Sequence, residues 1–257
     1  MPDFGFVGPS YEAPSIYQDA QECINFFAEI DPMKPKEERG VIALYPTAGL
    51  VQRTQLANAP VRGMRALSGG QYLVAVAGSN VYSINTSWQA TLIGTLTTNS
   101  GYVSLTDNIM TGSGLTAYLV DGVNRYTWIA ATNTFATLSP LDGAFQGATV
   151  CDVIDGYVVY NQPGTQNFAN TDLDSQLSTI ALYGSKNGAP DPIVSLICDH
   201  RQVYLLGEKT TETWVDVGGT IPSITTFPFQ RISGTMMQHG IAAPFSVARF
   251  DESIMFV

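Results

Sequence analysis

The chain has 257 residues, enough to bury a large core as one large domain or two small ones. It is 45% hydrophobic but only 13% charged, with a net charge of −10 and 24 glycines. Such a composition argues against long solvated helices and against a general nucleic-acid binder, which would carry a basic face. It suits many short strands joined by tight turns.

No apolar run reaches the roughly 18–20 residues that a membrane-spanning helix needs. Met1 to Gly5 shows neither a basic nor an apolar signal region, so no secretory signal is expected. Cys23, Cys151 and Cys198 are odd in number and widely spaced. They read as reduced, mostly buried thiols of a protein made in a cytoplasm.

In chain order, residues 1–59 read as an N-terminal arm and connector, and residues 60–257 as a strand-rich domain. The arm holds one short helix candidate. Ser15 would cap it, Ile16, Ala20, Cys23, Ile24 and Phe27 recur at helical spacing, and Asp31-Pro32 would stop it. Lys34 to Arg39 reads as a charged, solvated loop.

From Pro60 onward one pattern repeats: an apolar run opened by tyrosine, a polar or small-residue turn, then an aromatic on the return strand. The four copies run from Tyr72 to Tyr82, Tyr118 to Tyr126, Tyr157 to Phe168, and Tyr204 to Trp214. The opening tyrosines lie 46, 39 and 47 residues apart. Each hairpin has an upstream strand partner: Val61–Ala66, Tyr102–Leu105, Thr149–Val153 and Ile193–Ile197. Downstream strands are expected at Ala90–Ile93, Thr134–Leu138 and Ile224–Phe227. Four strands per roughly 40–50 residues is the mark of propeller blades. The expected fold is therefore an all-β propeller of four-stranded antiparallel blades, a β-sandwich being the alternative. The repeat aromatics read as blade core. A fifth blade opens at Phe245-Ser246-Val247-Ala248, and its second strand begins at Ile254. The expectation is about four and a half blades of a C-terminally incomplete propeller, part of a longer protein.

The motifs of chemistry are missing. There is no sialidase Asp-box, no nucleophile elbow, no P-loop and no GxGxxG. Thr111-Gly112-Ser113-Gly114 lacks the elbow spacing. Asp121-Gly122-Val123-Asn124 and Asp155-Gly156 read as turn formers. Cys198-Asp199-His200 sets a thiol, a carboxylate and an imidazole side by side. Strand alternation would put Asp199 opposite the other two, so they form no relay. Cys198 reads as a core thiol and His200 as a turn residue, while His239 reads as part of a flexible, solvated loop. Asp172 and Asp174 read as a turn rather than a calcium loop. No catalytic, cofactor-binding or metal-ligating residue is expected, and no cofactor.

Two stretches carry a family resemblance. The first is Gln21-Glu22-Cys23-Ile24-Asn25-Phe26-Phe27-Ala28-Glu29 followed by Leu44-Tyr45-Pro46-Thr47-Ala48-Gly49-Leu50, where Ala48 stands in place of the usual proline. The second is the blade run. It includes Asp155-Gly156-Tyr157-Val158-Val159-Tyr160, Asn170 to Asp174, Pro192 to Leu196, Tyr204 to Trp214, and Gln238-His239-Gly240-Ile241-Ala242. In their order and spacing these resemble the tail-hub, or packaged-DNA stabilisation (head-completion), proteins of short-tailed bacteriophages. The resemblance implies a non-enzymatic structural virion protein of the viral tail, assembled in the host cytoplasm. It implies an oligomeric ring, a hexamer, that extends the portal-adaptor channel and retains packaged DNA. It also implies partners in the adaptor, the tail needle and the tailspikes. DNA would pass through the channel without sequence-specific binding, and net acidity would keep phosphates from sticking. A glycan-binding or glycan-cleaving propeller is the alternative, and a scaffold for cellular proteins a third reading.

Overall fold

The computed structural model describes residues 24–30, 33, 42–138, 145, 147–178, 183–218, 220–221, 224–225, 227–251 and 253–257. The chain divides into two compact units, Met1–Arg53 and Thr54–Val257.

In the first unit β1 (Phe26–Ile30) pairs antiparallel with β2 (Ile42–Pro46), setting Phe27 opposite Tyr45. Their rings stack at 5.6 Å. The helix expected to run through Phe27 is therefore overturned at its C-terminal end. Asn25 sits at φ 60°, outside right-handed helical space, and the aromatic run beyond it prefers the pleated surface. The stretch Ser15 to Cys23 and the Lys34–Arg39 loop lie outside the described residues.

The second unit is built from successive antiparallel meanders. Blade 1 comprises β3 (Val61–Ala66), β4 (Tyr72–Ala77), β5 (Asn80–Asn85) and β6 (Ala90–Thr95). Blade 2 comprises β7 (Ser104–Met110), β8 (Gly114–Val120), β9 (Arg125–Ile129) and β10 (Thr134–Thr137). Blade 3 comprises β11 (Cys151–Ile154), β12 (Tyr157–Asn161), β13 (Asn167–Asn170) and β14 (Tyr183–Ser185). Blade 4 begins with β15 (Ile193–Asp199), β16 (Gln202–Gly207) and β17 (Thr211–Asp216). A small hairpin, β18 (Thr220–Ile221) with β19 (Ile224–Thr225), then intervenes before β20 (Phe229–Arg231) completes the blade. The fourth strand expected at Ile224–Phe227 is thus corrected: Phe229–Arg231 pairs with β17, and Ile224 pairs with Ile221. Last comes the two-stranded sheet of β21 (Ala248–Phe250) and β22 (Ser253–Met255). Among the described residues each blade is an antiparallel sheet of its own, in strand order along the chain.

The repeat tyrosines open or sit within the second strand of each blade, and Tyr82, Tyr126, Phe168 and Trp214 fall on the third. Blade faces meet through the side chains that alternation turns outward. Val74, Val76 and Val81 of blade 1 meet Leu119, Tyr126 and Trp128 of blade 2. Tyr118 and Val120 of blade 2 meet Val158 and Tyr160 of blade 3. Val159 and Phe168 of blade 3 meet Leu205 and Trp214 of blade 4. Blade 4 meets β21–β22 through a smaller cluster around Ile197, Leu206 and Ile241. Tyr118, Tyr126 and Phe168 are fully buried, whereas Tyr72 and Tyr204 are half-buried, so the opening tyrosines are not equivalent.

Candidate functional site

The first strand of each blade contacts the first strand of the next: β7 lies against β3 and β11, and β11 against β15. These inner strands form the axial side of the fold. Each has a free edge whose backbone groups need partners. Side chains from the neighbouring blade supply them. Ser104 Oγ donates to Cys151 O at 3.2 Å and accepts from Cys151 N at 3.1 Å. Ser195, in the matching Val-Ser-Leu string of blade 4, donates to Pro244 O at 2.6 Å ahead of β21. Asp152 accepts from Cys198 N at 2.8 Å. Asn108 Nδ2 donates to Gly156 O at 2.8 Å.

Charged pairs reinforce the same seams. Arg65 of β3 reaches Asp107 of β7 at 2.9 Å, and Ser68 N donates to the other carboxylate oxygen at 2.7 Å. Burial opposes the charge on Asp107, but Ser68 and Arg65 outweigh it and hold its carboxyl below the ordinary value. Arg249 of β21 spans three blades. It donates to Asp152 at 2.6 Å and to Cys198 O at 2.9 and 2.7 Å, and its guanidinium lies 3.7 Å from Asp199. Arg201 meets Asp155 at 3.1 Å across the turns of blades 3 and 4, in an exposed pair of little energetic weight.

The loop that leads into blade 2 is organised by Arg62, which is 6% exposed. Its guanidinium donates to the carbonyls of Gly78, Thr98, Ser100 and Gly101 and to Thr98 Oγ1. Beyond that loop the Tyr102 ring packs at a tilt of 37° against Phe245, 4.7 Å away, at the approach to β21. Tyr102 was expected in a strand; it lies outside β7 and is mostly exposed.

The residues singled out for chemistry are dispersed into structural positions. His200 and Arg201 take φ 47° and 59° in the two-residue turn between β15 and β16. That lifts His200 out of strand alternation, so Nδ1 meets Asp199 Oδ2 at 2.8 Å, contrary to the expectation that the two would point apart. The Cys198 thiol is buried, and burial holds its pKa well above the ordinary value. Asp155-Gly156 forms the β11–β12 turn, and Asp121 Oδ1 accepts from Val123 N and Asn124 N, closing a turn as expected. Asp172 and Asp174 belong to a turn in which Ser175 N donates to Asp172 O and Asp174 N to Gly156 O. The stretch around His239 is not free: Thr211 and Met237 exchange backbone hydrogen bonds at 3.0 and 2.9 Å, and Thr211 Oγ1 donates to His239 O. Among the described residues no cluster of His, Cys, Asp and Glu could hold a metal ion. No described helix is long and apolar enough to cross a membrane.

Two polar constellations escaped sequence reasoning. Lys186, between blades 3 and 4, is fully buried and donates to Asp191 Oδ2 at 3.1 Å, to Asp191 O and to Thr210. Glu212, 1% exposed, accepts from Gly188 N at 2.6 Å and Trp214 Nε1 at 3.1 Å, with Arg231 at 3.7 Å. It lines a shallow cleft with Thr213, Arg231 and Met236. Only the repeated Val-Ser-Leu strings, at 103–105 and 194–196, signalled in sequence that an inner-strand serine had a shared task.

No curated protein matches the chain. The WD40 domain of Neurospora crassa Pan2 is similar at 10% identity with a TM-score of 0.43, over 60% of this chain and 48% of that one. The chain thus spans about half the length of that structure. Residues 21–257 match the model of the phage-stabilisation family, described as bacteriophage P22 Gp10, beta-propeller. With its successive four-stranded blades and its match across the propeller domain, the chain belongs to this family of phage structural tail proteins.

Proposed function

We propose that the protein is a tail hub: a ring-forming virion component that extends the portal-adaptor channel, retains packaged DNA and anchors the tail needle and tailspikes. The observation that carries this reading is the family match over residues 21–257. The inner-strand seams support it, because blades locked by buried pairs and edge-capping side chains make a rigid building block. A ring needs heterologous contacts that close, and the loops of a rigid disc offer separate faces for them. Residues 1–59 would serve as arm and connector, and 60–257 as the propeller. The polar constellations hold blades together, and catalysis has no part in the proposal. The net charge of −10 fits a surface that lets DNA phosphates pass. Assembly would take place in the host cytoplasm and end in the virion tail.

Mass photometry of the purified protein, alone and mixed with portal-adaptor particles, tests the reading. A closed ring, or saturable capture by the adaptor, is the expected result. A monomer that ignores the adaptor at micromolar concentration would sink it.

A further inference from the structure

The connector between blades 3 and 4 is clamped by the buried Lys186–Asp191 pair, and between those residues lies Asn187-Gly188. Asn187 is exposed, and among the described residues no hydrogen bond holds its carboxamide. Gly188 is closely surrounded: an added Cβ would meet the Glu212 carboxylate, Met236 Sδ at 2.7 Å and Arg231 at 3.1 Å, so a larger residue would have to displace the ends of these side chains. The Asn-Gly step is thereby favoured by packing. It is also the step at which a backbone nitrogen most readily reaches the preceding carboxamide, since glycine has no Cβ to obstruct the approach.

The Gly188 amide is not idle, for it donates to Glu212 Oε1 at 2.6 Å. Attack on Asn187 requires that nitrogen to give up its proton. A buried carboxylate accepting from the same N–H places a negative charge beside the anion that would form, and a like charge disfavours ionisation. The hydrogen bond also restrains the motion that ring closure needs.

We propose that Asn187 is a modification site for succinimide formation, gated by Glu212. The Gly188 nitrogen forms a bond to Asn187 Cγ. The Cγ–Nδ2 bond breaks, and ammonia leaves with the proton from the amide. Water then opens the ring at either carbonyl, giving aspartate or isoaspartate at 187. The isoaspartate product inserts a methylene into the backbone and moves Gly188 off Glu212, loosening the connector that joins the two blades.

The test is peptide mapping for isoaspartate at 187 after incubating the whole chain in mildly alkaline buffer. Glu212→Gln, checked for native strand content by circular dichroism, is expected to form isoaspartate at least ~10-fold faster than the parent, the factor for one pKa unit of released repulsion. Equal or slower formation overturns the proposal. Should that variant fail to fold, Arg231→Gln reports with the opposite sign. Removing the cation beside Glu212 strengthens its field and slows the reaction below the parent rate. An unchanged or faster rate there overturns the proposal.

Discussion

Lys186 Nζ lies 3.1 Å from Asp191 with none of its side chain reaching solvent. Such a lysine is tolerable only because every polar neighbour is arranged for it. Asp191 faces it and also accepts from the amides of Glu208, Lys209 and Thr210 and from the Thr210 hydroxyl. Burial works against the Asp191 charge, but Lys186, Thr210 and those amides outweigh it and pull the carboxyl to about 2. Lys186→Met should therefore destabilise the chain by about 3–5 kcal/mol in urea denaturation, since it leaves a buried carboxylate without its cation. The depressed pKa has a definite sign. The stability it contributes is complete above the unfolded-state value of ~3.9 and is lost as pH falls through about 2. Denaturation midpoints of the parent should fall across that window more steeply than those of Asp191→Asn. The thiols give a second residue-scale prediction. Burial pushes Cys151 up to about 12 and Cys198 well above the ordinary range, so neither supplies thiolate at neutral pH. Mass mapping after alkylation should find both unmodified in the native chain and both labelled in urea. The burial of the thiols was legible in the sequence, but the seam contacts were not, because their partners come from other blades: Ser104 meets Cys151 across 47 positions and Asp152 meets Arg249 across 97.

At the scale of elements, blade packing depends on glycines that let a neighbour approach. A Cβ at Gly94 of β6 would enter the Phe135 ring on β10, where the outer strands of blades 1 and 2 meet. Gly94→Ala should cost about 1–3 kcal/mol by overpacking. Combined with Phe135→Ala the two losses should fall short of additivity, because the second change removes what the first collides with. Additive losses in a double-mutant cycle would show that the two blades do not meet there. The hairpins of each blade were legible in the sequence, since antiparallel neighbours joined by short turns carry their own period-two pattern and turn residues. Val61–Ala66 coincides with β3. The fourth strands of blades 1 and 2 also fall where expected, at Ala90 and Thr134, but those of blades 3 and 4 were harder. β14 is only Tyr-Gly-Ser, and β20 is three residues long and follows an inserted hairpin. Their pairing is decided by the strand already in place and not by their own pattern. The helix expected through Phe27 failed for a related reason. Ile24 and Phe27 satisfy helical spacing, but cross-strand pairing with β2 and the left-handed Asn25 decide the outcome.

At the scale of the whole molecule, the fold combines rigid seams with a scarcity of charge. Inner strands are edge-capped, faces are filled by aromatics, and only 13% of residues are charged, so the exposed surface mixes polar groups with large apolar side chains such as Met64, Leu92, Tyr102 and Ile109. The axial ion pairs are acidic and basic in partnership, with no unopposed basic stripe among Arg65, Arg201 and Arg249 to grip DNA. These features fit a rigid structural component of a phage tail. The central claim, that this propeller sits in the virion as a hub between portal and tail, is tested most directly by electron microscopy of phage particles carrying an epitope tag on this protein. Antibody label is predicted at the head–tail junction of every intact tail. Label confined to the capsid shell, or tagged protein absent from purified particles, would contradict the account.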